Sequence, residues 1–192
     1  MGRKLFALLI VLLVASCGSR DSTAPRNLDD ACSILSERPH YRRAFRKVER
    51  RWGVPTNVLM AVMHQESKFI GNARTPHKYM LGIIPMGRQS SAYGYSQALD
   101  STWDDYREQT RSRRARRTDI DDAADFMGWY MAGSTKRLGI PLTDARNQYL
   151  AYHEGRTGYL RGSHNNKSWL LSVAQRVAVR SALYGKQLPY CR

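Results

Sequence analysis

The chain has 192 residues, a formal net charge of +15 and a sequence pI near 10.2. That length points to one compact domain, and 42% apolar residues supply a core, which excludes wholesale disorder. No apolar run approaches the roughly 20 residues of a membrane-spanning helix, three cysteines are too few for a disulfide-dense mini-protein, and the charge favours an anionic partner: nucleic acid, an anionic membrane or an acidic polymer.

Arg3 and Lys4 precede an unbroken apolar run from Leu5 to Val14, and small residues follow. This is a secretory signal, too short to span a bilayer. It ends Val14-Ala15-Ser16-Cys17, which resembles the bacterial lipoprotein cleavage site. The resemblance implies a signal peptide over residues 1–16, lipid on Cys17 and stable attachment to a membrane through several acyl chains. Gly18, rather than aspartate, follows the cysteine, which leans towards a periplasmic protein held on the outer membrane. Gly18 to Asn27 is polar and reads as a tether of at most about 35 Å, so residues 17–30 form the anchor segment and residues 31–192 the folded domain. Cys32 and Cys191 bracket that domain, 159 positions apart. In an oxidising periplasm they pair as a disulfide; the alternative is two separate thiols.

The rest is mainly α. His40–Trp52 places Tyr41, Phe45, Val48 and Trp52 on one helical face, and Gly53 stops it. Pro55 and Thr56 open a second helix with the stripe Val58, Leu59, Val62 and Met63. Tyr79–Ser91 is a loop with some extended backbone. Gln97–Tyr106 reads as a short helix. Thr118-x-x-Asp121 resembles a capping box and opens a helix carrying Phe126, Met127, Tyr130 and Met131. Ala145–His153 is helical, and so is Trp169–Tyr184, with Leu170, Val173, Val177 and Leu183 for the core and Gly185 as its stop. No alternating strand or internal repeat stands out.

One carboxylate sits where the pattern calls for an apolar residue. Leu59, Val62, Met63 and Glu66 follow i, i+3, i+4, i+7, so Glu66 continues the buried face of the second helix. Desolvation there raises a carboxyl pKa and makes a general acid. The alternative is a glutamate turned to solvent at a fraying helix end.

Three segments add to this: Glu66-Ser67 within HQESKFIGNA, Gly94-Tyr95-Ser96-Gln97, and Ala151-Tyr152-His153-Glu154-Gly155. In this order they resemble the Glu-Ser, Gly-Leu-Met-Gln and Ala-Tyr-Asn-x-Gly motifs of lytic transglycosylases with a soluble lytic transglycosylase (SLT) domain, glycoside hydrolase family 23. The resemblance spans roughly residues 51–155. It implies a lysozyme-like helical domain with a catalytic cleft, peptidoglycan glycan strands as substrate and no metal or other cofactor. Glu66 would be the single catalytic acid, and Tyr152 would hydrogen-bond it. Gln97 would contact the N-acetyl or peptide side of the sugar, with Gly94, Tyr95, Ser96, Ala151 and His153 completing the substrate-binding set. Ser67 would support the site by hydrogen bonding or simply end the helix. Glu154 is a candidate second acid at a variable motif position. The departures are His153 for asparagine, Tyr95-Ser96 for a bulky apolar pair, and a 31-position gap from Glu66 to Gln97 whose extra residues could flap over the cleft. The alternatives are a non-catalytic peptidoglycan-binding lipoprotein of the same fold and a lysozyme-type muramidase.

Other signals are weaker. Gly94–Ala98 is near a nucleophile elbow but lacks a buried strand before it. His64, Glu66, His153 and Glu154 lack a third metal ligand at helical spacing. Arg111–Arg117 holds five arginines in seven positions. Export argues against nucleic acid there and for a solvated loop or a grip on anionic glycan or lipid headgroups. Other envelope proteins are possible partners.

Overall fold

The structure is a computed structural model that describes residues 23–81 and 83–191; Cys17 and the signal segment 1–16 lie outside the described residues. The helices are α1 (Ala31–Glu37), α2 (Pro39–Trp52) and α3 (Thr56–Ser67), then α4 (Asp100–Gln109), α5 (Ile120–Leu138), α6 (Ala145–Leu160) and α7 (Ser168–Gln187). Between α3 and α4 lies an antiparallel hairpin, β1 (His77–Met80) and β2 (Ile84–Arg88), with Tyr79 opposite Pro85. A 3-10 turn, Leu188–Tyr190, follows α7. The fold is mainly helical.

The α3 helix is the centre of the bundle. Every residue from Val58 to Met63 is buried, so its apolar surface runs all round rather than in one stripe, and other helices cover it. It packs against α7, α2 and α6. On one flank, α2 and α5 approach closely because Gly128 has no side chain: a Cβ there would lie 2.6 Å from Val48 and 2.5 Å from Trp52. Buried Asp125 ties this contact together. It takes Arg51 at 2.7 Å, the Trp52 indole at 2.9 Å and the Tyr106 phenol at 2.8 Å, which satisfies both carboxylate oxygens. On the other flank, Cys32 and Cys191 form a disulfide that closes α1 onto the C-terminal turn. Such a bond contributes typically 2–4 kcal/mol.

Several boundaries differ from the sequence reading. The α1 helix was not foreseen; Asp30 caps it by accepting from the Cys32 and Ser33 amides. The packed structure begins before residue 31, because Pro25 is buried and the Leu28 carbonyl takes Arg180 and the Tyr184 phenol. The α4 helix starts at Asp100 rather than Gln97, whose φ of +49° is left-handed. The α5 cap is Asp119, one residue after Thr118, accepting from the Asp121 and Asp122 amides. The α6 helix continues past His153 through a break at Gly155, where φ is +74°. Gly185 does not stop α7, and Leu183 is 38% exposed rather than in the core. Within 79–91 the chain forms the hairpin, not a loop; its tip residues Met80, Leu81, Ile83 and Met86 are exposed.

Candidate active site

The α3 helix delivers Glu66 on its last turn. Two consecutive residues with left-handed backbone follow, Lys68 (φ +54°) and Phe69 (φ +61°). Each costs on the order of 1 kcal/mol for a side-chain-bearing residue. They turn the chain sharply, so that Phe69 returns to the core while Glu66 stays at a surface opening. That opening is a cleft of about 460 Å³, of a size suited to a small ligand. Thr75 and Ser90, which bracket the hairpin, form one side. Phe126 and Tyr130 of α5 form the floor, and Tyr152 to Gly155 at the α6 break form the far wall.

Glu66 is half-buried among these groups, and among the described residues no side chain hydrogen-bonds its carboxyl. Burial pushes its pKa up to about 8 against a smaller opposing pull from Lys68. It therefore carries its proton at neutral pH, as a general acid must.

Glu154 faces the same cleft and is the opposite case. Its side chain is only 5% exposed, yet both oxygens are taken: Lys167 Nζ lies 2.8 Å from each, the Ser163 hydroxyl donates to Oε2, and His153 Nδ1 lies 3.0 Å from Oε1. Burial raises its pKa, but the hydrogen bonds from Lys167, Ser163 and His153 outweigh burial and hold it down at about 2. The cleft thus contains one protonated acid and one fixed carboxylate, a separation that assigns distinct roles to two like groups.

A family model described as Transglycosylase SLT domain matches residues 5–191. The chain belongs to this family. No curated protein matches it. Membership makes it a transglycosylase-type enzyme with peptidoglycan glycan strands as substrate, and the helical, lysozyme-like architecture agrees.

Placing the other motif residues in this SLT domain changes several expected roles. Tyr152 lines the cleft beside Glu66, but its phenol donates to the Ser96 carbonyl at 2.7 Å rather than to the glutamate. A phenol has one proton, so once that bond is made Tyr152 can only accept from Glu66. Burial, then the nearby Glu66 carboxyl, push its pKa well up, so it stays neutral. Gln97 lines the cleft with both amide protons already used, on Ala73 O at 2.9 Å and Gly94 O at 2.8 Å; its side-chain oxygen is left as an acceptor. His153 is in the lining, with its ring edge-on to exposed Trp169.

Four expected substrate contacts, and Ser67, sit at buried positions with structural contacts of their own. Gly94 is buried with φ +77°, and a Cβ would lie 2.1 Å from the Arg117 carbonyl; only glycine fits. Tyr95 is fully buried, its phenol 3.0 Å from that of Tyr41. Ser96 is buried, and its hydroxyl has no partner among the described residues; its carbonyl is the useful group, holding Tyr152. Ala151 is buried, and its carbonyl accepts from Tyr130 at 3.3 Å. Ser67 is buried and bonds Met63 O one turn back, which makes it a helix-end group.

Sequence reasoning missed Tyr149. It is buried on α6, one turn before Tyr152, and burial followed by the Glu66 carboxyl push its phenol up. Its i−3 spacing from Tyr152 was a visible signal. Lys167 and Ser163 were also missed; they reach Glu154 only because the chain turns back after α6.

Proposed function

We propose that this protein is a lytic transglycosylase that cleaves the β-1,4 bond between N-acetylmuramic acid and N-acetylglucosamine without water. Glu66 donates its proton to the glycosidic oxygen as that bond to the muramyl anomeric carbon breaks. Positive charge develops on that carbon. Retaining hydrolases meet it with a second, free carboxylate. Here Glu154 is neutralised by Lys167 and its oxygens are occupied, so the substrate's own N-acetyl group takes that part. Glu66, now ionised, accepts the proton of the muramyl 6-hydroxyl, and that oxygen closes on the anomeric carbon to give a 1,6-anhydro end. One bond breaks, one forms, and the acid is restored. Because the nucleophile belongs to the substrate, its effective concentration far exceeds that of a bound water. The free Gln97 oxygen suits a substrate N–H, and the His153 edge suits a hydroxyl.

The observation that supports this reading best is the lone protonated carboxyl in the cleft, with the second carboxylate already committed. Digestion of purified sacculi followed by mass spectrometry tests it. Muropeptides ending in 1,6-anhydro sugars are expected from the native chain and none from Glu66→Gln. Reducing-end muramic acid would mean lysozyme-type hydrolysis, and no release of soluble product would mean a wall-binding protein.

We further propose that the enzyme is a periplasmic lipoprotein anchored through Cys17, most compatible with the outer membrane. The Val14–Cys17 motif supports this, and no helix among the described residues is long and apolar enough to cross a membrane. Mass spectrometry of the mature amino terminus reads the modification directly: a diacylglyceryl cysteine at position 17 is expected, and an intact or differently cleaved leader would refute it.

A further inference from the structure

A second pocket lies behind the catalytic helix. With 100° per residue, His64 lies on a face of α3 roughly opposite Glu66, and Lys68, the residue that caps the helix, brings its ammonium to within 3.5 Å of the His64 ring. That face packs along α7, and between the two helices is a cavity of about 410 Å³. His64 of α3 and Lys68 just past its end line it from one side, and Arg176 and Arg180 of α7 from the other. Val179 and Leu183, 61% and 38% exposed, form an aliphatic rim.

The charges in this pocket do not balance. Arg180 is engaged with Asp29 at 2.8 Å and with the Leu28 carbonyl at 2.9 Å. Lys68 has no carboxylate partner among the described residues, and its ammonium lies 3.5 Å from His64 Nδ1. Arg176 makes no ion pair or hydrogen bond among the described residues. Burial, followed by Lys68 and Arg180, pushes His64 down to about 3, so it is neutral and adds no charge of its own. Burial and then Arg180 also push the Lys68 pKa down, with Arg176 a smaller contributor; Glu66 pulls the other way. Two cations without an ion pair among the described residues, half-buried Lys68 and exposed Arg176, therefore share a concave site beside a third that is paired. An anion in the pocket would offset their mutual repulsion.

We propose that this pocket binds a phosphate monoester dianion through Lys68, Arg176 and Arg180, on the far side of α3 from the cleft. A phosphate monoester carries about −1.5 to −2 charges at pH 7, which matches the two free cations. Guanidinium forks and an ammonium are the groups that grip such oxygens. The rim would contact the carbon skeleton of the ester. This inference is independent of what the cleft cleaves.

Inorganic phosphate titrated into the full chain at constant pH and ionic strength tests it, with the His64 ring resonances as the readout. A saturable shift is expected with phosphate and none with chloride. Arg176→Gln, at an exposed position with no hydrogen bond or ion pair among the described residues, should weaken the apparent affinity at least tenfold, and Lys68→Gln should do the same. A shift that is linear, reproduced by chloride, or unchanged in Arg176→Gln would overturn the proposal as general screening. Phosphatidylglycerol vesicles supply a singly charged diester instead. Flotation with those vesicles that depends on Arg176, without a saturable response to inorganic phosphate, would assign the pocket to a lipid headgroup and refute the monoester.

Discussion

The two carboxyls of the cleft have the same leading influence and opposite outcomes. For both Glu66 and Glu154, burial is the largest effect and pushes the pKa up. Glu66 receives no hydrogen bond among the described residues and ends near 8, whereas Glu154 gathers Lys167, Ser163 and His153 and ends near 2. Burial without a hydrogen-bond partner keeps the proton on Glu66, and three partners outweigh burial at Glu154. Glu66 is placed one turn beyond the buried apolar pair Val62 and Met63, on the face that they begin. Glu154 sits at the α6 break, where the chain folds back and brings polar groups to it.

Removing the Glu66 proton is the largest way to test this contrast. Glu66→Gln should lower glycan cleavage by about 10³-fold or more, since both proton transfers are lost. The same substitution should stabilise the fold. An acid whose pKa is higher folded than unfolded favours folding fully below its unfolded value, near 4.5, and that contribution is lost as pH rises through about 8. At neutral pH the native chain should therefore carry a deficit on the order of 2 kcal/mol that the glutamine variant lacks. Urea melts at pH 5 and pH 8.5 would show it: the gap between native and variant should widen towards the higher pH.

The pH profile sharpens the same point. Above pH about 8, kcat/KM should fall roughly tenfold per unit as Glu66 ionises in the free enzyme. A limb breaking near pH 4.5 instead would mean that Glu66 is solvated like an ordinary glutamate, and the contrast with Glu154 would vanish.

The Glu154 side should respond in stability first and rate second. Lys167→Met leaves the carboxylate facing Ser163 and His153 alone. Because Lys167 is 40% exposed, the loss should be about 1–2 kcal/mol rather than the 3–5 of a fully buried pair. Glu154 has a depressed folded pKa, so its contribution is present above about 4.5 and lost as pH falls towards 2. Native and Lys167→Met melts should converge in that acid range. Cleavage should drop about tenfold, mainly in KM, as His153 loses its orientation.

Much of this was legible in the chain itself. The i, i+3, i+4, i+7 run ending at Glu66 gave both the α3 helix and the odd carboxylate, because both follow from local periodicity. The cysteine count gave the disulfide. What escaped was whatever depends on the chain meeting itself again. Lys167 lies 13 positions beyond Glu154 across a break at Gly155 that no period announces. The hairpin was hidden because its tip is apolar on an exposed turn, so it lacks the alternation of a half-buried strand. Gly94, Tyr95 and Ser96 fall at motif positions, the last two as departures from its apolar pair, yet they act through backbone and core: the glycine meets Arg117, the tyrosine meets Tyr41, and the serine offers its carbonyl. A motif fixes where a segment goes more reliably than which of its atoms face the substrate.

That distinction yields the smallest and most discriminating effect. If Tyr152 works by bridging the 94–97 turn to the cleft, Tyr152→Phe loses one hydrogen bond and leaves the Ser96 carbonyl unfilled. The cost should be about 1–2 kcal/mol of stability. Cleavage should fall only several-fold, with the alkaline limb unmoved near pH 8, because Glu66 keeps its apolar surroundings. If instead the phenol were the direct proton partner of Glu66, the limb itself would shift along with the rate. Stability and pH profile measured on the same variant therefore separate a tyrosine that holds the wall of the cleft from one that tunes the acid.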